Sequence, residues 1–128
     1  MSNLIIVRGP SGSGKTTFAK ERFPDYNLIE ADMYFYRDGG YNFEAVKLKD
    51  AHEWCQCNTR GGLRVGKPYV VANTFTRLWE MQPYLDMGYP TTVYRMTSQY
   101  QNVHSVPESV VQSMKDRMED YEGEILVP

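Results

Sequence analysis

The chain is poor in the features that several protein classes require. Its longest early apolar run, Leu4-Ile5-Ile6-Val7, is far too short to span a bilayer or to form a signal-peptide core. The expectation is therefore a cytoplasmic protein with no membrane partner. Cysteine is scarce: Cys55 and Cys57 stand two residues apart, point to nearly opposite faces if the segment is helical, and cannot bridge each other. A zinc site needs about four ligands, and only His52 and His104 are left to add. Both cysteines are read as free thiols, as in a reducing compartment. There is no excess of charge either. Fourteen Lys and Arg against 16 Asp and Glu give a net charge of -2 and a pI near 5.7. That excludes broad coating of duplex DNA by a basic face, though not a grip on one end of a strand. So small a net charge, with 41% hydrophobic residues, also excludes a disordered chain.

What is present fits one folded domain over residues 1–128. Asn3–Arg8 reads as a short buried strand stopped by Gly9 and Pro10, and Lys15–Arg22 as a helix ended before Pro24. Tyr26–Ala31 reads as a second strand, and Asp32–Asn42 as a loop carrying Tyr34, Phe35, Tyr36 and Tyr41. Apolar spacing predicts a helix from Phe43 to about Arg60, closed by Gly61-Gly62. A strand over Pro68–Asn73, a helix over Arg77–Met87 made irregular by Pro83, and a strand over Thr91–Met96 follow. Ser105 and Glu108 have the spacing of a capping box, which starts a helix running to about Tyr121. Glu124–Val127 completes the pattern as a short strand. Strands alternating with helices imply an α/β fold: a parallel sheet with helices on both faces, joined by right-handed crossovers.

One motif carries the chemistry. Gly9-Pro10-Ser11-Gly12-Ser13-Gly14-Lys15-Thr16 matches the phosphate-binding P-loop in full, after a predicted strand and at the start of a predicted helix. Glycines let consecutive N–H groups point at phosphate oxygens, and the helix N-terminus adds favourable partial charge. Lys15 is placed to reach the β- and γ-phosphates, and the Thr16 hydroxyl to ligate Mg²⁺. Thr17 closes the nucleotide-binding run and suits helix packing better than ligation. The implied ligand is a nucleoside triphosphate with magnesium, ATP by default.

Other candidates follow from position. Asp32 ends the second strand, at the carboxyl edge where open α/β sheets bind ligands. There it can accept the proton of an attacking hydroxyl, or alternatively cap the following turn. Asn73 and Thr74 end the third strand at the same edge and are candidates for substrate contact or for a plain turn. Arg37, Arg77 and Arg95 fall near strand ends, where one of them is expected to clamp phosphate. Arg8 precedes the loop inside a strand and is expected to pack or pair. The aromatics after Asp32 form either a satellite core or a sequence-tolerant stacking platform for an acceptor base. His52 and His104 read as packing residues.

With these residues in place, the chain resembles the polynucleotide-kinase-like P-loop kinases, particularly the small phage, bacterial and animal ATP-binding ones. The landmarks are Gly9–Thr17, Asp32 with Tyr34-Phe35, Ala51-His52-Glu53-Trp54, Asn73-Thr74, Trp79-Glu80-Met81 with Pro83-Tyr84, Gly88-Tyr89 and Asn102–Pro107. The resemblance implies a three-layer, adenylate-kinase-like P-loop fold and transfer of the γ-phosphate of ATP to a hydroxyl. In polynucleotide kinases that hydroxyl is a 5′-OH of DNA or RNA. The resemblance gives Asp32 the role of general base and Lys15 and Thr16 the ATP and magnesium roles. It leaves Trp79 and Ala51–Trp54 to packing.

Three departures stand out. Met33 occupies the place of a second acidic residue, and Ala72 that of an Asp before Asn-Thr. The lid is short, with only Thr97–Gln101 before Asn102 and no arginine. Arg95 or Arg37 would have to substitute for a lid arginine, or a partner supply one, or the enzyme be slow. The leading expectation is an ATP- and magnesium-dependent kinase acting on a hydroxyl, above all the 5′-OH of a single-stranded nucleic-acid end. The alternatives are a nucleoside or other small-molecule kinase, and a nucleotide-binding interaction module with lost or weak catalysis.

Overall fold

The structure is a computed structural model that describes residues 2–37, 40–98 and 106–128, with Arg37 described by its backbone alone. His104 and Ser105, and with them the expected capping box and the Asn102 landmark, lie outside the described residues.

In chain order the elements are β1 (Leu4–Arg8), α1 (Lys15–Arg22), β2 (Asn27–Ile29), a 3-10 turn (Ala31–Phe35), β3 (Tyr36–Arg37) and β4 (Gly40–Tyr41). A second 3-10 turn (Ala45–Lys47), α2 (Leu48–Arg64), β5 (Tyr69–Asn73), α3 (Leu78–Leu85), β6 (Thr91–Met96), α4 (Glu108–Arg117) and β7 (Ile125–Val127) follow. Five strands form one sheet in the order β2-β5-β1-β6-β7, and every pairing in it is parallel. The fold is the α/β arrangement with a parallel sheet that the alternation implied.

β1 sits at the centre and is buried along its whole length. Its alternation divides the core. Leu4 and Ile6 face Cys55 and Leu63 of α2 and Met81 and Tyr84 of α3. Ile5 and Val7 face the other way, onto Ala19 of α1 with Phe18 and Phe23 around it. Each such side chain contributes about 1.5–3 kcal/mol when fully buried. A strand with two buried faces has no polar alternation, as a continuous apolar run requires.

Helices α2 and α4 have boundaries that differ from expectation. α2 begins at Leu48 rather than Phe43, because Phe43 packs its ring on Phe35, centroids 5.0 Å apart, and Val46 stays in solvent. The helix also runs through Gly61-Gly62. A Cβ on Gly62 would lie 2.1 Å from the Tyr69 ring, so the glycine admits that ring. The stop is Gly66, in left-handed conformation with φ 87°. α4 ends at Arg117 rather than near Tyr121, since the Glu119 N–H leaves the helix and donates to the Thr76 carbonyl at 2.8 Å. Cys55 is buried and Cys57 exposed, both as thiols. No helix among the described residues is long and apolar enough to cross a membrane.

Candidate active site

The phosphate loop leaves the carboxyl end of β1 and turns back into α1. Gly12 and Gly14 take left-handed φ values of 79° and 86°, a region that costs any other residue about 1–2 kcal/mol. Gly9 is needed for a different reason: a Cβ there would stand 2.6 Å from Ser13 Oγ. Ser13 is itself fully buried, and its hydroxyl has no hydrogen-bond partner among the described residues. The Gly9 N–H donates to the Thr74 carbonyl at 3.2 Å, so the main chain of Thr74 anchors the start of the loop.

The Lys15 ammonium donates to the carbonyls of Gly9 and Pro10, both at 3.0 Å. Burial pulls Lys15 down to about 8, against the opposing pull of Glu30 and Asp32. The Thr16 hydroxyl donates to Glu30 Oε2. Burial pushes the Glu30 carboxyl up; Asp32 adds to that, while Thr16, Lys15 and Lys20 work against it. One ammonium, one hydroxyl and two carboxylates thus converge at the head of α1. Glu30 was not singled out in the sequence. Its signal is an acidic residue at the end of a predicted strand, two before Asp32.

Asp32 sits in the 3-10 turn after β2, not on the strand. The turn is fixed from below: Asn73 Oδ1 accepts from the Ala31 N–H at 2.8 Å, while Asn73 Nδ2 faces Cys55 Sγ at 3.8 Å. Asn73, expected to touch substrate, is thus buried and spends its carboxamide on positioning the residue before Asp32. Above, Tyr41 Oη donates to Asp32 Oδ1 at 3.2 Å. Burial and the nearby Asp32 charge push the Tyr41 phenol well up. Strands β3 and β4 pair Tyr36 with Tyr41. The Tyr41 and Phe43 rings lie 13° from parallel at 6.4 Å, with Tyr36 tilted against Tyr41 at 5.1 Å. Phe35 is buried with Ala31 and Ala51, whereas Tyr36 and Phe43 are about half exposed. The aromatic segment is therefore a small core below and an open ring surface above, continuous with Asp32. His52, on α2, feels both Asp32 and Glu80, and burial lowers its pKa.

The expected arginines divide. Arg95 donates to Asp120 at 2.6 Å and to Glu124 at 3.2 Å, so the guanidinium expected on phosphate is engaged by two carboxylates. Arg77 is the N-cap residue of α3, half exposed, with Glu119 at 3.9 Å. Arg37 pairs through its backbone with Gly40 in the hairpin beside the rings. Arg8 is fully buried and pairs as expected. It donates to the carbonyls of Phe75, Thr76 and Glu119 and to the Glu124 carboxylate. Two packing expectations fail, because Thr17 is exposed and Trp79, in the first turn of α3, is 73% exposed.

Among the described residues no group of three or more His, Cys, Asp or Glu is placed to hold a metal. A magnesium ion carried in by a polyphosphate needs few protein ligands. The Thr16 hydroxyl, already directed at a carboxylate, suits such an ion.

Known proteins resemble this chain over most of its length. Human NEDD4-binding protein 2 is 29% identical over 142 residues, covering 98% of this chain, which spans only 8% of that protein's length. A sugar kinase from Janibacter superposes with a TM-score of 0.69 at 16% identity, covering 99% of this chain and 84% of that one. A chain of the Pnkp1/Rnl/Hen1 RNA repair complex gives 0.66 at 15% identity, covering 90% and 43%. At these identities the two structures share the fold. The family model described as an AAA domain matches residues 4–121, from the first residue of β1 to the segment held by Arg8 and Arg95, and the chain belongs to this family, AAA_33.

Proposed function

We propose that the site transfers the γ-phosphate of ATP to a hydroxyl, and that the acceptor is the 5′-OH of a polynucleotide end. The observation that carries the reading is the Tyr41–Asp32 hydrogen bond. It joins a carboxylate in the electrostatic field of Lys15 to an open surface of aromatic rings. Stacking on such rings is worth about 1–3 kcal/mol per base and tolerates any base.

In this reading the loop from Gly9 to Thr17 binds the triphosphate, and Lys15 leaves the Gly9 and Pro10 carbonyls for the β- and γ-phosphates. Thr16 would hold magnesium, which when bound offsets charge on the phosphate oxygens. Asp32 accepts the proton of the acceptor hydroxyl as the new P–O bond forms and the bond to the β-phosphate oxygen breaks. Arg37, Arg77 and the rings of Tyr36 and Phe43 bind the acceptor strand. Asn73 and the backbone of Thr74 position the base and the loop. Arg95 is a positioning residue for the chain segment carrying Asp120 and Glu124.

A second reading, a small-molecule acceptor, draws support from the pairing of Arg77 and Arg95 with carboxylates, which reduces the positive charge offered to a strand. The test is transfer of labelled γ-phosphate, with magnesium, onto 5′-hydroxyl DNA and RNA oligonucleotides, with Lys15→Ala and Asp32→Asn as controls. Labelled oligonucleotide from the wild type and from neither variant is the expected outcome. ATP binding without labelling of any oligonucleotide would discard the polynucleotide acceptor. Labelling of nucleosides alone would select the second reading, and no labelled product from any acceptor would leave a binding module.

A further inference from the structure

The resemblance read from the sequence implies an Asp just before Asn73-Thr74, at the end of the strand next to β1, and this chain has Ala72 there. The methyl of Ala72 packs with Val7 and Ala19, close to where the P-loop helix begins, and offers no polar atom. A magnesium ion held by Thr16 alone would lack an anionic neighbour on that side.

The sheet register locates a replacement. β2 pairs with β5 so that Ile29 lies opposite Val71. One step further sets Glu30 level with Ala72, one strand outward, about 4.8 Å away across the sheet. Glutamate carries its carboxylate one methylene further from the backbone than aspartate does. Its Oε2 takes the hydrogen bond of the Thr16 hydroxyl, the group the motif dedicates to the ion. Glu30 also stands in the electrostatic field of Lys15, Asp32 and Lys20, so it belongs to the phosphate-loop cluster and not to the surface.

We infer that Glu30 is the magnesium-site carboxylate of this protein, supplied from the residue that follows β2 in place of the acidic residue that β5 lacks. The inference rests on the reading of the loop as a magnesium–nucleotide site. Magnesium keeps several waters and takes one or two carboxylates. A carboxylate that accepts the Thr16 proton leaves the threonine lone pairs for the ion and can accept from the ion's waters. Outer-shell groups of this kind change metal affinity by about 10- to 100-fold.

The test compares ADP affinity with and without Mg²⁺ by titration calorimetry for the wild type, Glu30→Gln, Glu30→Asp and Glu21→Gln. Glutamine keeps the size of the side chain and removes its charge. Metal-free ADP should bind Glu30→Gln at least as tightly as the wild type, because a negative charge near the phosphates is gone; the same titration verifies that the variant is folded. The gain in affinity on adding Mg²⁺ should shrink by about 10- to 100-fold. Glu30→Asp, with the charge retained on a shorter arm, should fall between. Glu21→Gln, which removes a carboxylate from the exposed side of α1, should keep the full magnesium gain. A wild-type magnesium gain in Glu30→Gln overturns the inference while leaving the nucleotide site intact. A wild type that binds no ADP in either condition removes the nucleotide reading itself, and the inference with it.

Discussion

Replacing Arg8 with methionine keeps a long unbranched side chain on β1 and removes everything the guanidinium does. In the native protein its Nε and Nη2 donate to the Phe75 carbonyl at 3.0 and 2.6 Å, and Nη2 also reaches Thr76 O at 3.3 Å. Nη1 donates to Glu119 O at 2.6 Å and to Glu124 Oε1 at 2.9 Å. The guanidinium is fully buried and Glu124 nearly so. Breaking a buried ion pair by removing one partner costs about 3–5 kcal/mol, because the other charge stays behind without full compensation. Arg95 still reaches Glu124, which argues for the lower half of that range from the charge alone. The carbonyls of Phe75 and Glu119 then lose donors, at about 1–3 kcal/mol for a buried group left unpaired. Phe75 also holds φ 45°, a strain of about 1–3 kcal/mol that a non-glycine residue sustains only when its surroundings enforce it. Its relaxation returns part of the loss. The net expectation is a destabilisation of about 3–5 kcal/mol, a large part of the 5–15 kcal/mol available to a domain. Urea unfolding followed by tryptophan fluorescence measures it. Arg8→Lys, which keeps the charge without the planar fork, should lose less than the methionine variant. A methionine variant within about 1 kcal/mol of the wild type would refute the account of Arg8 as the clamp joining β1, the turn after β5 and the C-terminal segment.

Nucleotide affinity should depend on the proton of Lys15. A phosphate-bound ammonium titrates higher than the free one at about 8, so ADP affinity should be constant below that pH and weaken steadily above it. Calorimetric titrations from pH 7 to 9.5 would show this, and a flat profile would remove Lys15 from phosphate binding. Tyr41→Phe keeps the ring and deletes the hydrogen bond to Asp32. Transfer should slow by about tenfold with ADP affinity unchanged, whereas an unchanged rate would reduce Tyr41 to packing. Gly62→Ala drives a methyl into the Tyr69 ring and should cost about 1–3 kcal/mol, as overpacking does. Urea unfolding measures that loss as well, and a gain in stability would show that the ring moves aside freely.

The elements whose signals are local are the ones the sequence makes legible. α1 spans Lys15–Arg22 and β6 spans Thr91–Met96, as expected, because a P-loop start, a proline stop and a run of β-formers need no knowledge of the rest of the chain. Expectations fail where one residue type serves two purposes. Gly61-Gly62 reads as a helix stop, yet the aromatic ring that requires Gly62 comes from Tyr69 in the next strand. Arg95 sits where a phosphate clamp belongs, but its partners, Asp120 and Glu124, arrive from a segment about 25 residues later. Asn73 stands at the correct edge of the sheet, and its carboxamide turns inward because the Ala31 N–H has to be satisfied. Each of these is decided by a contact between distant parts of the chain.

Glu30 is the sharpest case. The missing acid at Ala72 and the extra acid at Glu30 are 42 residues apart, and neither means much alone. The register of β2 on β5 makes them neighbours, and the hydrogen bond from Thr16 ties the second to the phosphate loop. A strand-by-strand reading asks each strand to carry its own functional residue. The sheet imposes a weaker condition: a carboxylate has to reach Thr16 from some adjacent position at that level. A longer side chain one strand away satisfies that condition as well as a shorter one on the strand beside β1.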